Sequence, residues 1–267
     1  MEIDSSWLLL AVGAVAVAGT MFVLWLHGVR NRNFSYVDIG WSANFAALAG
    51  LYGFLAPGWL PRKLLICTLF AVHGLRLAAH LSKRIIGQPE EGRYVQLRRE
   101  WGGGNLDLKF LAFFEFQAAL NVFLSLPLLL ACMNRYPQWL TLEWIGAAIC
   151  AIGLIGESSA DAQLAAFKRD PANEGAVCDA GLWRLSRHPN YFFEWLIWIG
   201  YALFALASPY GWLALATPVL MLHFLVNVTG IRATEEQALR SKGERYRSYQ
   251  ARTSAFVPWF PRKESDR

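Results

Sequence analysis

An all-α, polytopic integral-membrane bundle of about seven transmembrane helices, with the N-terminus outside and the C-terminus cytoplasmic, is the fold class the sequence predicts. The first observation is composition: 55% of the 267 residues are hydrophobic and only 17% charged, too apolar for an ordinary soluble domain. The second is length, because apolar runs at 7–26, 36–55, 62–81, 109–132, 140–157, 192–207 and 209–228 each approach the ~20 residues that a spanning helix requires. The third is the sorting of positive charge. With the N-terminus outside, the inward segments 27–35, 82–109, 158–191 and 229–267 hold 21 of the 25 Lys and Arg residues, as cytoplasmic connections do.

The first run follows Glu2 and Asp4 rather than a basic region, so it reads as a retained helix and not a cleaved leader. Asp38 stands at the start of the second run. His73 and Arg76 lie one helical turn apart in the third, on a common face. Residues 82–108 read as a loop rich in turn formers, then in basic and aromatic groups, with Trp101-Gly-Gly-Gly as a hinge. Those glycines lack the G-x-G-x-x-G spacing of a dinucleotide-binding turn, so no Rossmann domain is expected. Glu115 and Gln117 sit in the fourth run, and Glu157 and Asp161, four apart, leave the fifth. Ala207-Ser208-Pro209 divides the last two runs, and residues 233–252 read as an amphipathic interfacial or cytoplasmic helix. Intramembrane polar groups more often tie helices together than act on a ligand, which is the plain reading for each of these taken alone.

Neither a repeat nor a linker divides the chain, so a single membrane domain over 1–267 is expected. Cys67, Cys132, Cys150 and Cys178 show no metal-ligand spacing, and no metal is expected. The net charge of +5 is accounted for by membrane topology and attraction to anionic lipid, without nucleic acid. Nothing implies a protein partner. The long hydrophilic connections are inward, which places entry of any water-soluble cofactor on the cytoplasmic side.

Residues 186–195 read Ser-Arg-His-Pro-Asn-Tyr-Phe-Phe-Glu-Trp and end where an apolar run begins. Arg184, Arg187 and His188 can pair with phosphate. Asn190 and Glu194, four apart, can hydrogen-bond a ribose, amide or ammonium, and Tyr191 can stack or donate. An aromatic belt at the membrane surface would also use Tyr, Trp and Arg, yet it has no need of Asn and Glu at this spacing. A ligand site is therefore preferred to a belt.

Gly181 to Leu203, followed by Arg252-Thr-Ser-Ala-Phe-Val-Pro-Trp-Phe-Pro, resembles the C-terminal half of the steroid 5-alpha-reductase superfamily, most closely its bacterial uncharacterised branch. The resemblance is strong over about 155–260. It implies a seven-helix membrane oxidoreductase that uses NADPH to reduce an activated, enone-like carbon–carbon double bond in a lipophilic substrate entering from the bilayer. For a bacterial protein, that means the inner membrane with the active site facing the cytoplasm. Carried over by position, it places Asp161, Lys168, Arg184, Asn190, Tyr191, Glu194 and Trp198 around the cofactor within a binding half at about 140–260. Arg232 and Tyr246 would close that site. Arg187 and His188 belong to the same motif, and Arg76, Arg93 and Tyr94 match the family's third span and basic loop. The steroid reductases' own acid pair has no full counterpart here, so Asp38 and His73, together with Glu115, are the candidates for catalytic acid. Lys168 stands where the family has arginine, and Gly74 where steroid reductases have a tyrosine.

The Arg-His-Pro-x-Tyr signature with Glu235, Glu236, Tyr246 and Tyr249 also resembles the isoprenylcysteine carboxyl methyltransferase group. That likeness implies S-adenosylmethionine as the alternative cofactor, with methyl transfer needing mainly alignment. A membrane protein that kept the fold without the reaction is a third class.

Overall fold

The computed structural model describes residues 2–228 and 230–262, and among these it is helical with no strand. Helix α1 (Ser6–Asn31) starts on a Ser5 cap whose hydroxyl accepts from the Leu8 amide, and it stops at Arg32 in the left-handed region. Helices α2 (Tyr36–Leu55), α3 (Leu60–Ile85), α4 (Gly92–Glu100), α5 (Leu106–Leu124), α6 (Leu126–Met133) and α7 (Thr141–Arg169) follow. Next come α8 (Leu182–Leu185), α9 (Pro189–Leu206), α10 (Ala216–His223), α11 (Ile231–Lys242) and α12 (Glu244–Arg252). A π-helical turn, Phe224–Val228, lies beyond α10.

Each of the seven apolar runs becomes helical, but among the described residues five stretches are both long and apolar enough to cross a membrane: Ser6–Asn31, Leu60–Ile85, Leu106–Met133, Thr141–Arg169 and Gly211–Lys242. The remaining two runs are α2 and α9. Asp38, Ser42 and Asn44 dilute the hydropathy of α2, and Asn190, Glu194 and several indole and phenol rings dilute that of α9. The fourth run breaks at Ser125, where Pro127 removes a backbone donor and the next helix begins. The loop expected at 82–108 contains α4. The amphipathic helix expected at 233–252 is two helices, because Gly243 takes φ +53 and ends α11.

The chain forms two compact units, one of Met1–Glu143 with Phe204–Ala214 and one of Trp144–Leu203 with Leu215–Arg267. In the first, α2 packs along α3 and α1 along α5. A Cβ on Gly74 would stand 2.6 Å from the Ser42 carbonyl oxygen and 3.1 Å from the Ala46 nitrogen, so α2 and α3 touch where any side chain would intervene. Arg62 at the start of α3 is fully buried and ion-paired with Glu143, and it donates to the Asn134, Tyr136 and Gln138 carbonyls. That satisfies a guanidinium which burial would otherwise make very costly.

In the second unit, α7 and α9 meet through small residues. A Cβ on Gly200 would lie 2.6 Å from Cys150 Sγ and 2.7 Å from the Gly146 carbonyl oxygen, and one on Gly153 would lie 2.9 Å from the Phe193 carbonyl oxygen. Close backbone approach of this kind is how helices associate where lipid offers no hydrophobic gradient.

Candidate functional site

The second unit gathers most of the residues singled out above. Its approach to α9 is built by the tail beyond α12. Ser186 and Ser254 form a parallel bridge, the Arg187 amide donates to the Ser254 carbonyl at 2.8 Å, and Ser186 Oγ donates to the Phe256 carbonyl at 2.8 Å. Tyr249, 2% exposed, donates from its phenol to the Trp183 carbonyl and lies 3.2 Å from that of Ser186. Pro189 then opens α9, where a missing N–H costs nothing.

Arg187 and His188 are tied to the protein itself. Arg187 donates from Nε to Glu235 Oε1 at 2.6 Å and from Nη1 to the Thr253 and Gln250 carbonyls at 2.6 and 3.1 Å. His188, buried, places Nε2 3.2 Å from the same Glu235 oxygen, and Gln250 Nε2 donates to the other at 2.8 Å. Glu235 is thus the hub that fastens the Arg-His-Pro segment to α11 and α12, and its partners lie 47, 48 and 15 residues away in sequence. The pattern Arg-His-Pro announced the segment, but no local signal names Glu235 over its neighbour Glu236 as the residue it meets. Tyr246, 6% exposed, has its phenol pushed up to about 12, by burial first and by Glu235 second, with Arg187 opposing.

One turn further on, the polar groups turn toward α7. Asn190 Nδ2 donates to Asp161 Oδ1 at 3.3 Å, and Asn190 Oδ1 accepts from the Tyr191 amide. Trp198 Nε1 donates to Glu194 Oε1 at 2.9 Å. Tyr191 stacks on His188 with centroids 5.4 Å apart, and its hydroxyl is 3.3 Å from Thr234 Oγ1. Asp161 with Asn190, and Glu194 with Trp198, are therefore two hydrogen-bonded polar pairs on α7 and α9, of a kind that can accept from hydroxyls or amides and donate to carbonyls.

Positive charge in this unit is distributed unevenly. Lys168 lies in the last turn of α7, and it and Lys242 lie within electrostatic reach of Cys178, whose thiol burial pushes up while both lysines draw it down. Arg232, largely exposed on α11, pairs loosely with Glu236 at 3.4 Å. Arg184 instead lines a surface groove with Asp179, Arg252 and Arg262, which Asp161, Asn190 and Glu194 do not line.

The remaining sequence candidates lie in the first unit. Arg93 pairs with the Asp38 carboxylate, and Tyr94, 1% exposed, donates to Asp38 Oδ1 at 2.7 Å. Burial and then the Asp38 charge push the Tyr94 phenol well above its usual range. His73 is buried with its ring parallel to that of Phe45, 6.4 Å away, and Arg76 is half-buried one turn along α3. The structure thus joins Asp38, Arg93 and Tyr94, which the sequence had left unconnected.

The family described as protein of unknown function, DUF1295, matches residues 24–253. No curated protein matches the chain. No solved structure matches it either.

Proposed function

The chain belongs to the DUF1295 family, and on that premise we propose that it is a membrane-embedded, NADPH-dependent reductase of an activated carbon–carbon double bond in a lipophilic substrate. In this reading seven helices span the bilayer, the C-terminus and the cofactor are cytoplasmic, and the membrane is a bacterial inner membrane. The observation that supports it is the polar edge made by two hydrogen-bonded pairs, Asp161 with Asn190 at 3.3 Å and Glu194 with Trp198 at 2.9 Å. Its donors and acceptors suit the ribose hydroxyls and carboxamide of a dinucleotide, and Lys168 and Arg232 supply charge for its phosphates. Arg187 and His188, fastened to Glu235, position that edge and leave phosphate to the lysine and to Arg232.

When bound, a reduced nicotinamide supplies hydride. The chain's part is to orient it through Asn190 and Glu194, to cover it with Tyr246, and to provide a proton for the other carbon of the double bond. That proton is the part assigned from the sequence to Asp38 and His73, which belong to the first unit; there Asp38 is the carboxylate that Arg93 holds and to which the Tyr94 hydroxyl donates.

Methyl transfer from S-adenosylmethionine has less support. Glu235 and Tyr249, two of the four residues that carry that likeness, are engaged by Arg187, His188, Gln250 and the backbone. Thermal stabilisation of the purified protein separates the readings. NADPH should raise the melting temperature, and Glu194→Ala should weaken that effect at least tenfold in ligand concentration while the variant remains folded. Stabilisation by S-adenosylmethionine alone would replace the reductase reading, and stabilisation by neither would favour a protein without the reaction.

A further inference from the structure

Beyond α12 the chain returns as a strap that carries aromatic side chains outward beside a cluster of arginines. The strap is pinned along its length: the Trp259 amide donates to the Leu185 carbonyl at 2.8 Å and the Arg262 amide to the Arg252 carbonyl at 2.9 Å. Trp259 and Phe260 are nonetheless 70% and 80% exposed, with Val257 exposed nearby. Two adjoining grooves of about 590 and 340 Å³ share Arg252, Thr253 and Arg262. Arg184 lies in the larger, and Trp259 and Phe260 line the smaller.

Charge in the larger groove is unbalanced. Its lining holds Arg184, Arg252 and Arg262 against one carboxylate, Asp179, which pairs with Arg252. Among the described residues, neither Arg184 nor Arg262 has a carboxylate partner. Guanidinium groups left in this way match a phosphodiester, which they hold through paired N–H donors. An indole and a phenyl ring exposed at the rim match the boundary between headgroup and acyl chain, where Trp is enriched. Basic groups beside such a boundary draw anionic lipid.

We propose that this groove is a binding site for the headgroup of an anionic phospholipid, with the phosphate held by Arg184 and Arg262 and the acyl chains lying against Trp259 and Phe260. The occupant is a lipid and not free phosphate because the aromatic pair adjoins the charge and is exposed on a pinned backbone, which a small soluble anion would not require. The site does not depend on the reductase reading.

The test uses the full chain in mild detergent, with phosphatidylglycerol, phosphatidylcholine, inorganic phosphate and NADPH as separate probes. Native mass spectrometry should show phosphatidylglycerol retained in preference to phosphatidylcholine. The Arg184→Gln/Arg262→Gln variant, which spares the Arg252–Asp179 pair, should lose that preference by tenfold or more. Trp259→Ala/Phe260→Ala should weaken retention of the lipid, and inorganic phosphate should not displace it. Unchanged lipid retention in the arginine variant would overturn the proposal. So would loss of NADPH stabilisation with lipid retention intact, since the arginines would then serve the cofactor.

Discussion

Glu235 shows how a side chain's role is set by what reaches it. It takes Arg187, His188 and Gln250 together, so the residues that looked most like ligand-binding groups in the sequence hold their own segment in place. Arg62 makes the same point in the first unit, where a basic residue at the start of α3 is 0% exposed and paired with Glu143. Tyr246 carries a testable consequence of this packing. Its folded-state phenol titrates at about 12, whereas an unfolded tyrosine titrates near ~10. Between those values the unfolded chain has lost a proton that the native chain keeps, so stability falls as pH rises through that window. Melting temperatures measured from pH 9 upward should decline more steeply for the native protein than for Tyr246→Phe. Parallel declines would show that Tyr246 does not carry this linkage.

At the scale of elements, the contact of α2 with α3 explains why position 74 is a glycine. A Cβ on Gly74 would press on the Ser42 carbonyl and the Ala46 nitrogen, both backbone atoms of α2. A larger residue requires the helices to part. Gly74→Ala should destabilise by about 1–3 kcal/mol, the usual range for overpacking a tight contact. Gly50→Ala, with nothing within 4 Å of the added carbon, should be neutral or stabilise by up to ~1 kcal/mol because it removes a helix-interior glycine. Thermal denaturation of both variants in the same detergent checks this, and equal behaviour would refute the close contact. The pairing of α7 with α9 through Gly153 and Gly200 follows the same logic, and it sets Asp161 beside Asn190.

For the whole molecule, the membrane reading rests on five helices of sufficient length and apolarity and on the one-sided distribution of Lys and Arg. The orientation derived from that distribution predicts a cytoplasmic C-terminus and an external N-terminus. A C-terminal green fluorescent protein fusion should therefore fluoresce and a C-terminal alkaline phosphatase fusion should be inactive. The reverse pair of results would invert the topology and move the proposed cofactor entrance to the other face.

The helical class and the membrane setting were written in the sequence, because hydropathy and the cost of unpaired backbone groups in lipid are local properties of a run of residues. So was the polar decade 186–195 that leads into and opens α9, since Asn190 and Glu194 one turn apart share a face whatever they pack against. Three features were not legible: the buried pair of Arg62 with Glu143, the clasp around Glu235, and the triad of Asp38, Arg93 and Tyr94. Each joins residues distant in the chain, 81 positions apart for the first and 55 to 56 for the last. Which charges meet there depends on how helices cross, and helix crossings follow from side-chain shape and small-residue contacts that no single segment encodes.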